Sequence, residues 1–275
     1  MLFRKYDLEL KPYKLFSRVL DEIEEFHSIY KSEHRFNFKK FINPFLDVEI
    51  THEMMVTYLE YLLCEAEKGT EESPIMSAAS TWRKISPLFN KLYSYAGLDG
   101  ISHKLFDTYY HPHFNRISYG PPIKNFKKLL TLAKSKIVDF TYLKNTNADI
   151  HSDSKEIRLI TKGSSDKFSH FIDARIPKNP YYKQSLFSNL RQNGLVDWFV
   201  NDTYTVNCPL INHKGNPIDV NGGIRKNITI YGTPTEGITY DNDTLSRSRN
   251  NFASLWAENV VHQIRQIKGN YSKAS

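Results

Sequence analysis

The spacing of apolar residues changes near residue 120, and that change limits the chain to folds holding both helices and strands. Ahead of it, "YKLFSRVLDEIEEFHSIY" sets Leu15, Phe16, Val19, Leu20, Ile23, Phe26 and Tyr30 three or four apart, the stripe of one helix face. "RFNFKKFINPFL" repeats Phe36, Phe38, Phe41, Ile42 and Phe45, with Pro44 marking a break. "HEMMVTYLEYLLCEAEKG" predicts a helix that Gly69 can close. "PIMSAASTWRKISPLFNKLYSYAG" predicts another, started behind Pro74, bent or restarted at Pro87, and closed by Gly97. A short helix near "SHKLFDTYY" leads into the turn-rich "HPHFNRISYGPP".

After Pro122 and the helix "IKNFKKLLTLAKS", the runs "KIVDFTYL", "NADIHS", "KEIRLITKG" and "KFSHFIDARI" lean toward strands. Gly, Asn, Ser and Asp bound each of them, the punctuation of a meander. "KQSLFSNLRQNG" reads as a short helix closed by Gly194, "DWFV" and "TYTVN" as brief strands, and "KNITIYG" as the last strand. A long helix then carries a stripe of Leu245, Phe252, Leu255, Trp256, Val260, Ile264 and Ile267. The expected fold class is mixed α/β. A helical region over residues 1–120, substrate-side or lid in character, precedes an α/β portion over residues 121–275, with a hinge at Gly120 to Pro122.

Aromatic residues make up 13% of the 275 residues, so the interior should be rich in rings. No run approaches the roughly 18 apolar residues of a membrane span. The opening "MLFRKYDLELKPYK" lacks the apolar core of a signal peptide. Cys64 and Cys208 lie far apart with no partner motif, which excludes a disulfide framework. A cytoplasmic protein without membrane attachment is expected. The net charge of +7 suits an anionic partner. The basic residues are scattered, however, and the densest group, Lys124, Lys127, Lys128, Lys134 and Lys136, reads as the wet side of a helix, so nucleic-acid binding is not expected.

Among candidate sites, "IYGTPTEGITY" places Gly232 and Gly237 five apart in a chain with 12 glycines. The 12-residue connection from Gly232 to Asp243 exceeds the roughly 2–6 residues usual between a strand and a helix. Asp243 or Thr244 can cap the helix beyond, whose N-terminus suits an anion. The loop either faces a ligand or is a structural pair of turns. In "FIDARIP", Asp173 at a strand's C-terminal edge either borders a ligand crevice or ends the strand in a turn. His111 and His113 could chelate a metal from a strand, but no acid or cysteine stands at ligand spacing, and no metal site is expected. His103 and Asp107 lie one helical turn apart. Cys208 and His213 have nothing nearby to complete a triad. No G-x-G-x-x-G after a strand, P-loop or H-E-x-x-H occurs.

Three collinear segments resemble the bacterial FAD/NAD(P)-binding family of flavin-dependent oxidoreductases. The first carries Trp82 and Arg83, Gly97 and Leu98, His103 and Phe106, then Arg116, Gly120, Pro121 and Pro122. The second is "FIDARIPKN" followed by "LFSNLRQNGLV", and the third is "IYGTPTEGITY". The resemblance implies that the backbone of Gly232, Thr233, Pro234, Thr235, Glu236 and Gly237 faces FAD, with Glu236 orienting the loop or touching substrate. It places Asp173 and Ala174 where such proteins close on the cofactor, and His103, Arg116 and Tyr119 on the substrate side. The family's N-terminal glycine-rich unit has no counterpart here. The chain is therefore expected to be the C-terminal portion of an oxidoreductase using FAD or NAD(P), an incomplete version of that fold. It would work with a separate nucleotide-binding chain or as a homo-oligomer. Arg247 and Arg249, in the first turn of the last helix, would meet a phosphate or an acidic partner, or water. The other expectation is a non-catalytic binding module derived from that fold.

Overall fold

The computed structural model describes residues 16–30, 35–45, 48–144, 146–151, 156–172, 174, 185–242 and 252–271. In chain order the helices α1 (Phe16–Ile29), α2 (Phe38–Ile42), α3 (His52–Glu72), α4 (Pro74–Tyr93), α5 (Gly100–Leu105), α6 (His111–Ser118) and α7 (Ile123–Lys134) come first, with a π-helical turn at Phe106–Tyr110. Strands β1 (Asn147–His151), β2 (Glu156–Ile160) and β3 (Ser165–Phe168) follow. Then come α8 (Ser185–Gln192), β4 (Trp198–Asn201), β5 (Tyr204–Pro209) and α9 (Phe252–Tyr271). The fold is mixed α/β. Its contacts divide it into two units, Met1–Lys84 with Pro112–Arg175 and Ile85–His111 with Ile176–Ser275. That division is interleaved along the chain, in place of the single cut near residue 120 expected from composition.

In the first unit, side-chain caps start α2, α3 and α4. Asn37 Oδ1 accepts from the Lys40 amide at 2.9 Å, and Thr51 Oγ1 from the Met54 amide at 3.2 Å. Gly69 leaves helical geometry where closure is expected (φ 70°, ψ −168°), and one more turn runs to Glu72. Ser73 then accepts from the Met76 amide (3.2 Å) while donating to the Glu65 carboxylate (2.6 Å), with Pro74 at the first helical position. Ser73 and Glu65 are both buried. Ser73→Ala removes a cap and one partner of a buried acid, and it should lower the unfolding free energy by about 1–2 kcal/mol. Urea denaturation measures this, and an unchanged midpoint would show that neither bond contributes.

Helix α4 continues through Pro87 without a restart. Trp82 stacks on Phe114 at 3.8 Å between centroids, and its Nε1 donates to Ser118 Oγ at 3.0 Å. His52, buried on α3, donates from Nε2 to the Ala133 carbonyl of α7 (3.1 Å) and accepts the Phe140 amide at Nδ1 (3.3 Å). The α7 lysines behave as a wet face. Lys127 pairs with Glu67 at 2.6 Å and Lys134 with Glu60 at 2.5 Å, all well exposed, so each pair stabilises little.

The three-stranded antiparallel meander β1-β2-β3 pairs Ile150 with Ile157 and Ile157 with Phe168. "KIVDFTYL" is not a strand: it folds into turns, one closed by Asp139 Oδ1 accepting the Thr141 amide at 2.7 Å. In "KFSHFIDARI" the strand ends at Phe168, and residues 169–172 are not strand. Ile172 is 86% exposed, Ala174 lies exposed beyond the strand, and Asp173 is outside the described residues.

The second unit is built on a cluster of Phe187, Val196, Phe199, Val206, Cys208, Ile211, Ile230 and Ile238. The β4-β5 hairpin supplies its middle, turning at Asp202 with φ 53°. "KNITIYG" is not a strand either. The Ile230 amide donates to the Gly215 carbonyl (2.8 Å), and Asn216 Nδ2 donates to the Ile228 carbonyl (2.8 Å), so no partner strand is required. Among the described residues, no helix is long and apolar enough to cross a membrane.

Candidate functional site

The loop after Tyr231 belongs to the second unit and is turned inward. A 3₁₀ turn at Thr233–Thr235 opens it, and Thr235, Ile238, Thr239, Tyr240, Asp241 and Asn242 are all buried. Every amide from Thr235 to Thr239 is bonded within the loop: Thr235 to Gly232, Glu236 to Thr233, Gly237 to Thr239, and Ile238 and Thr239 to Thr235. Glu236 accepts the amides of Asp241 (3.2 Å) and Asn242, closing the loop on itself. The amides of Thr235, Glu236 and Gly237, expected to face a cofactor, are thus bonded within the loop. Gly232 (φ 79°), Thr233 and Pro234 are half-buried at the loop's opening.

Gly237 has a packing reason instead. A Cβ built there would stand 2.5 Å from Val206 Cγ1 and 3.2 Å from Cys208 Sγ, at a φ of 111°. The loop lies so close on β5 that a hydrogen is the largest side chain that fits. Beyond it, Tyr240 enters a cluster of rings, 5.3 Å from Phe89, 5.5 Å from Tyr93 and 5.6 Å from Phe106.

Under that ring cluster lies a chain of buried polar groups. Asn201 Nδ2 donates to the Leu98 carbonyl (2.8 Å) and to His103 Nδ1 (3.0 Å). With Nδ1 accepting, the proton sits on Nε2, which reaches Tyr93 Oη at 2.7 Å and stands 3.4 Å from Asp107. Tyr93 in turn donates to Asp107 Oδ1 (2.6 Å), and Tyr204 to Asp107 Oδ2 (3.0 Å). One carboxylate therefore ends two donor paths. Burial pushes the His103 ring below the usual histidine range, while Asp107 and a bond to the Gly237 backbone oppose that shift. Burial, then the Asp107 charge, raises both tyrosines. His103 is fully enclosed, so it holds the fold together and does not stand on a substrate surface.

The first unit contains a cavity of about 1080 Å³. Rings form much of its wall, among them Phe36, Phe41, Tyr58, Tyr61 and Phe126. Four cationic side chains line it, Arg35, Lys40, Arg83 and Arg116, against one acid, Glu24. Arg116 also donates to the Phe41 and Ile42 carbonyls at the end of α2 (2.5 and 3.2 Å) and approaches Tyr58 Oη (3.4 Å). Burial raises the Tyr58 hydroxyl, and Arg116 counters that rise. Ser118 and Gly120 line the wall, but Tyr119 between them does not and is 61% exposed.

No family model matches the chain, and no curated protein sequence does either. The likeness to flavin-linked proteins therefore rests on its motifs alone. Of their residues, Arg83, Arg116, Gly120, Pro121 and Pro122 line the cavity. His111 and His113 lie on helix α6, not on a strand, and side chains two apart on a helix do not share a face. Among the described residues no group of three or more His, Cys, Asp or Glu is placed to hold a metal ion. Cys208 is fully buried, and burial pushes its thiol up, which removes it as a nucleophile. Arg247 and Arg249 lie outside the described residues. Sequence reasoning passed over the cavity, although "RFNFKK", with cations interleaved among rings, is its local signal.

Proposed function

We propose that the first unit is a binding module for an acidic ligand with a large apolar or ring-bearing body. One observation carries this reading: a cavity walled by rings and lined by four cations against a single acid. Its volume of about 1080 Å³ lies just above the roughly 300–1,000 Å³ that small-molecule sites enclose, so the ligand is of cofactor or lipid size. The rings supply apolar and stacking contact, and the guanidinium groups favour a carboxylate or phosphate.

FAD, a ring system bearing phosphates, is one member of this class. The flavin-linked oxidoreductase reading, with FAD or NAD(P) held jointly with a separate nucleotide-binding chain or a second copy, is the special case. What favours it is the place of Arg116, Gly120, Pro121 and Pro122 on the cavity wall.

Calorimetric titration of the whole chain with FAD and with dodecanoate tests the proposal. At least one should bind with micromolar affinity, and Ala66→Phe, which puts a ring into the cavity from α3, should weaken it at least about tenfold. Absence of binding by both below about 1 mM, or binding that Ala66→Phe leaves untouched, would overturn it.

A further inference from the structure

His27 lines the same cavity from α1 and is only 6% exposed. The Phe36 amide donates to its Nε2 at 3.1 Å, so Nε2 carries no proton. In the neutral ring the proton must then sit on Nδ1, which makes Nδ1–H a donor. That atom is buried and has no hydrogen-bond partner among the described residues. A buried donor left without an acceptor is costly, and native structures rarely keep one without a reason. In sequence, Arg35 immediately precedes Phe36, whose amide holds the ring, and Lys40 follows four residues after Phe36. Both line the cavity.

We infer that His27 Nδ1–H, with Arg35 and Lys40, is the seat for the oxyanion head of the ligand, an inference that rests on the binding module proposed above. The ligand supplies the acceptor that the ring lacks, and the two cations balance its charge. Its apolar body then runs along the ring-lined wall toward Arg116, whose guanidinium is already engaged by the carbonyls ending α2. The head is a carboxylate or a phosphate, since both present the same acceptor oxygens.

Two substitutions separate the roles of the two ring nitrogens. His27→Gln keeps an acceptor near the Nε2 position for the Phe36 amide and loses the Nδ1 donor. His27→Asn keeps a donor near the Nδ1 position and loses the acceptor. The probes are dodecanoate, dodecyl phosphate and dodecanol, titrated into the whole chain. The wild type should bind one of the two acids at least about tenfold more tightly than the alcohol, and the tighter acid identifies the head. His27→Gln should lose that preference while binding dodecanol as the wild type does, and His27→Asn should retain it. Nitrogen-15 spectra of the wild type should show a protonated Nδ1 and a bare Nε2 in the free protein, with the Nδ1 proton shifting downfield on adding the acid. If His27→Gln keeps the preference, or the free ring carries its proton on Nε2, the seat is overturned while the cavity reading stands. If no probe binds the wild type while FAD does, the seat is overturned and the cavity reading stands; if FAD fails as well, both fall.

Discussion

Replacing Gly237 by alanine should lower the unfolding free energy by about 3 kcal/mol or more. Two independent penalties meet at that position. The backbone holds φ at 111°, where a side chain is strained, and the added carbon would lie 2.5 Å from Val206 Cγ1 on β5. Neither β5 nor the loop can yield easily. Val206 and Cys208 are core residues, and the loop's amides are committed to its own carbonyls and to Glu236. Gly232 is the control: it has φ 79° and nothing within 4 Å of a built Cβ, so Gly232→Ala should cost only the backbone strain, about 1 kcal/mol. Chemical denaturation of both variants measures the gap. Equal losses would mean that the loop's distance from β5 is wider than described.

Asp107→Asn should cost about 2–3 kcal/mol, although it removes no atom from the packing. The carboxylate accepts two tyrosine hydroxyls and stands near the His103 ring, all largely buried. An amide offers one acceptor oxygen and one donor nitrogen, so one hydroxyl must turn to accept and its own proton loses its acceptor. Tyr204→Phe deletes one donor and leaves the carboxylate with the bond from Tyr93, for a smaller loss of about 1 kcal/mol. Thermal and urea unfolding of the pair give the comparison. If Asp107→Asn proved no worse than Tyr204→Phe, the network would be held by ring packing alone.

Much of the fold was legible because long helices repeat their signal over several turns. The helices α1, α3 and α4 are such cases, and "DWFV" and "TYTVN" are strands as expected. The failures share a cause: "KIVDFTYL" and "KNITIYG" have the composition of strands, but a strand needs a partner, and side-chain and turn bonds supply theirs. The loop at Gly232 to Gly237 stood out in the sequence, and the structure gives Gly237 a packing reason there. Close approach to a ligand and close approach to a neighbouring strand demand the same glycine, so the sequence reads alike for both. The i, i+4 pair of His103 and Asp107 looked accidental, since Tyr93, Asn201 and Tyr204, which give it meaning, are distant in sequence. The cavity was hidden for the same reason, with His27, Tyr58, Arg83, Arg116 and Phe126 drawn from five separate segments.

The interleaved division of the chain has a consequence during synthesis. Residues 85–111 leave the ribosome before the rest of the first unit, yet what covers them arrives last. Asn201, which bonds His103, is 98 residues downstream, and the Tyr240 carbonyl that Asn90 binds is 150 residues away. At about 5–20 residues per second the second interval lasts roughly 8–30 s. For that time Tyr93 and Phe106, 2% and 6% exposed when folded, wait uncovered while residues 112–175 of the first unit are made. The second core is thus begun early and sealed late. Slowing translation after residue 111 prolongs the interval in which these rings await their cover.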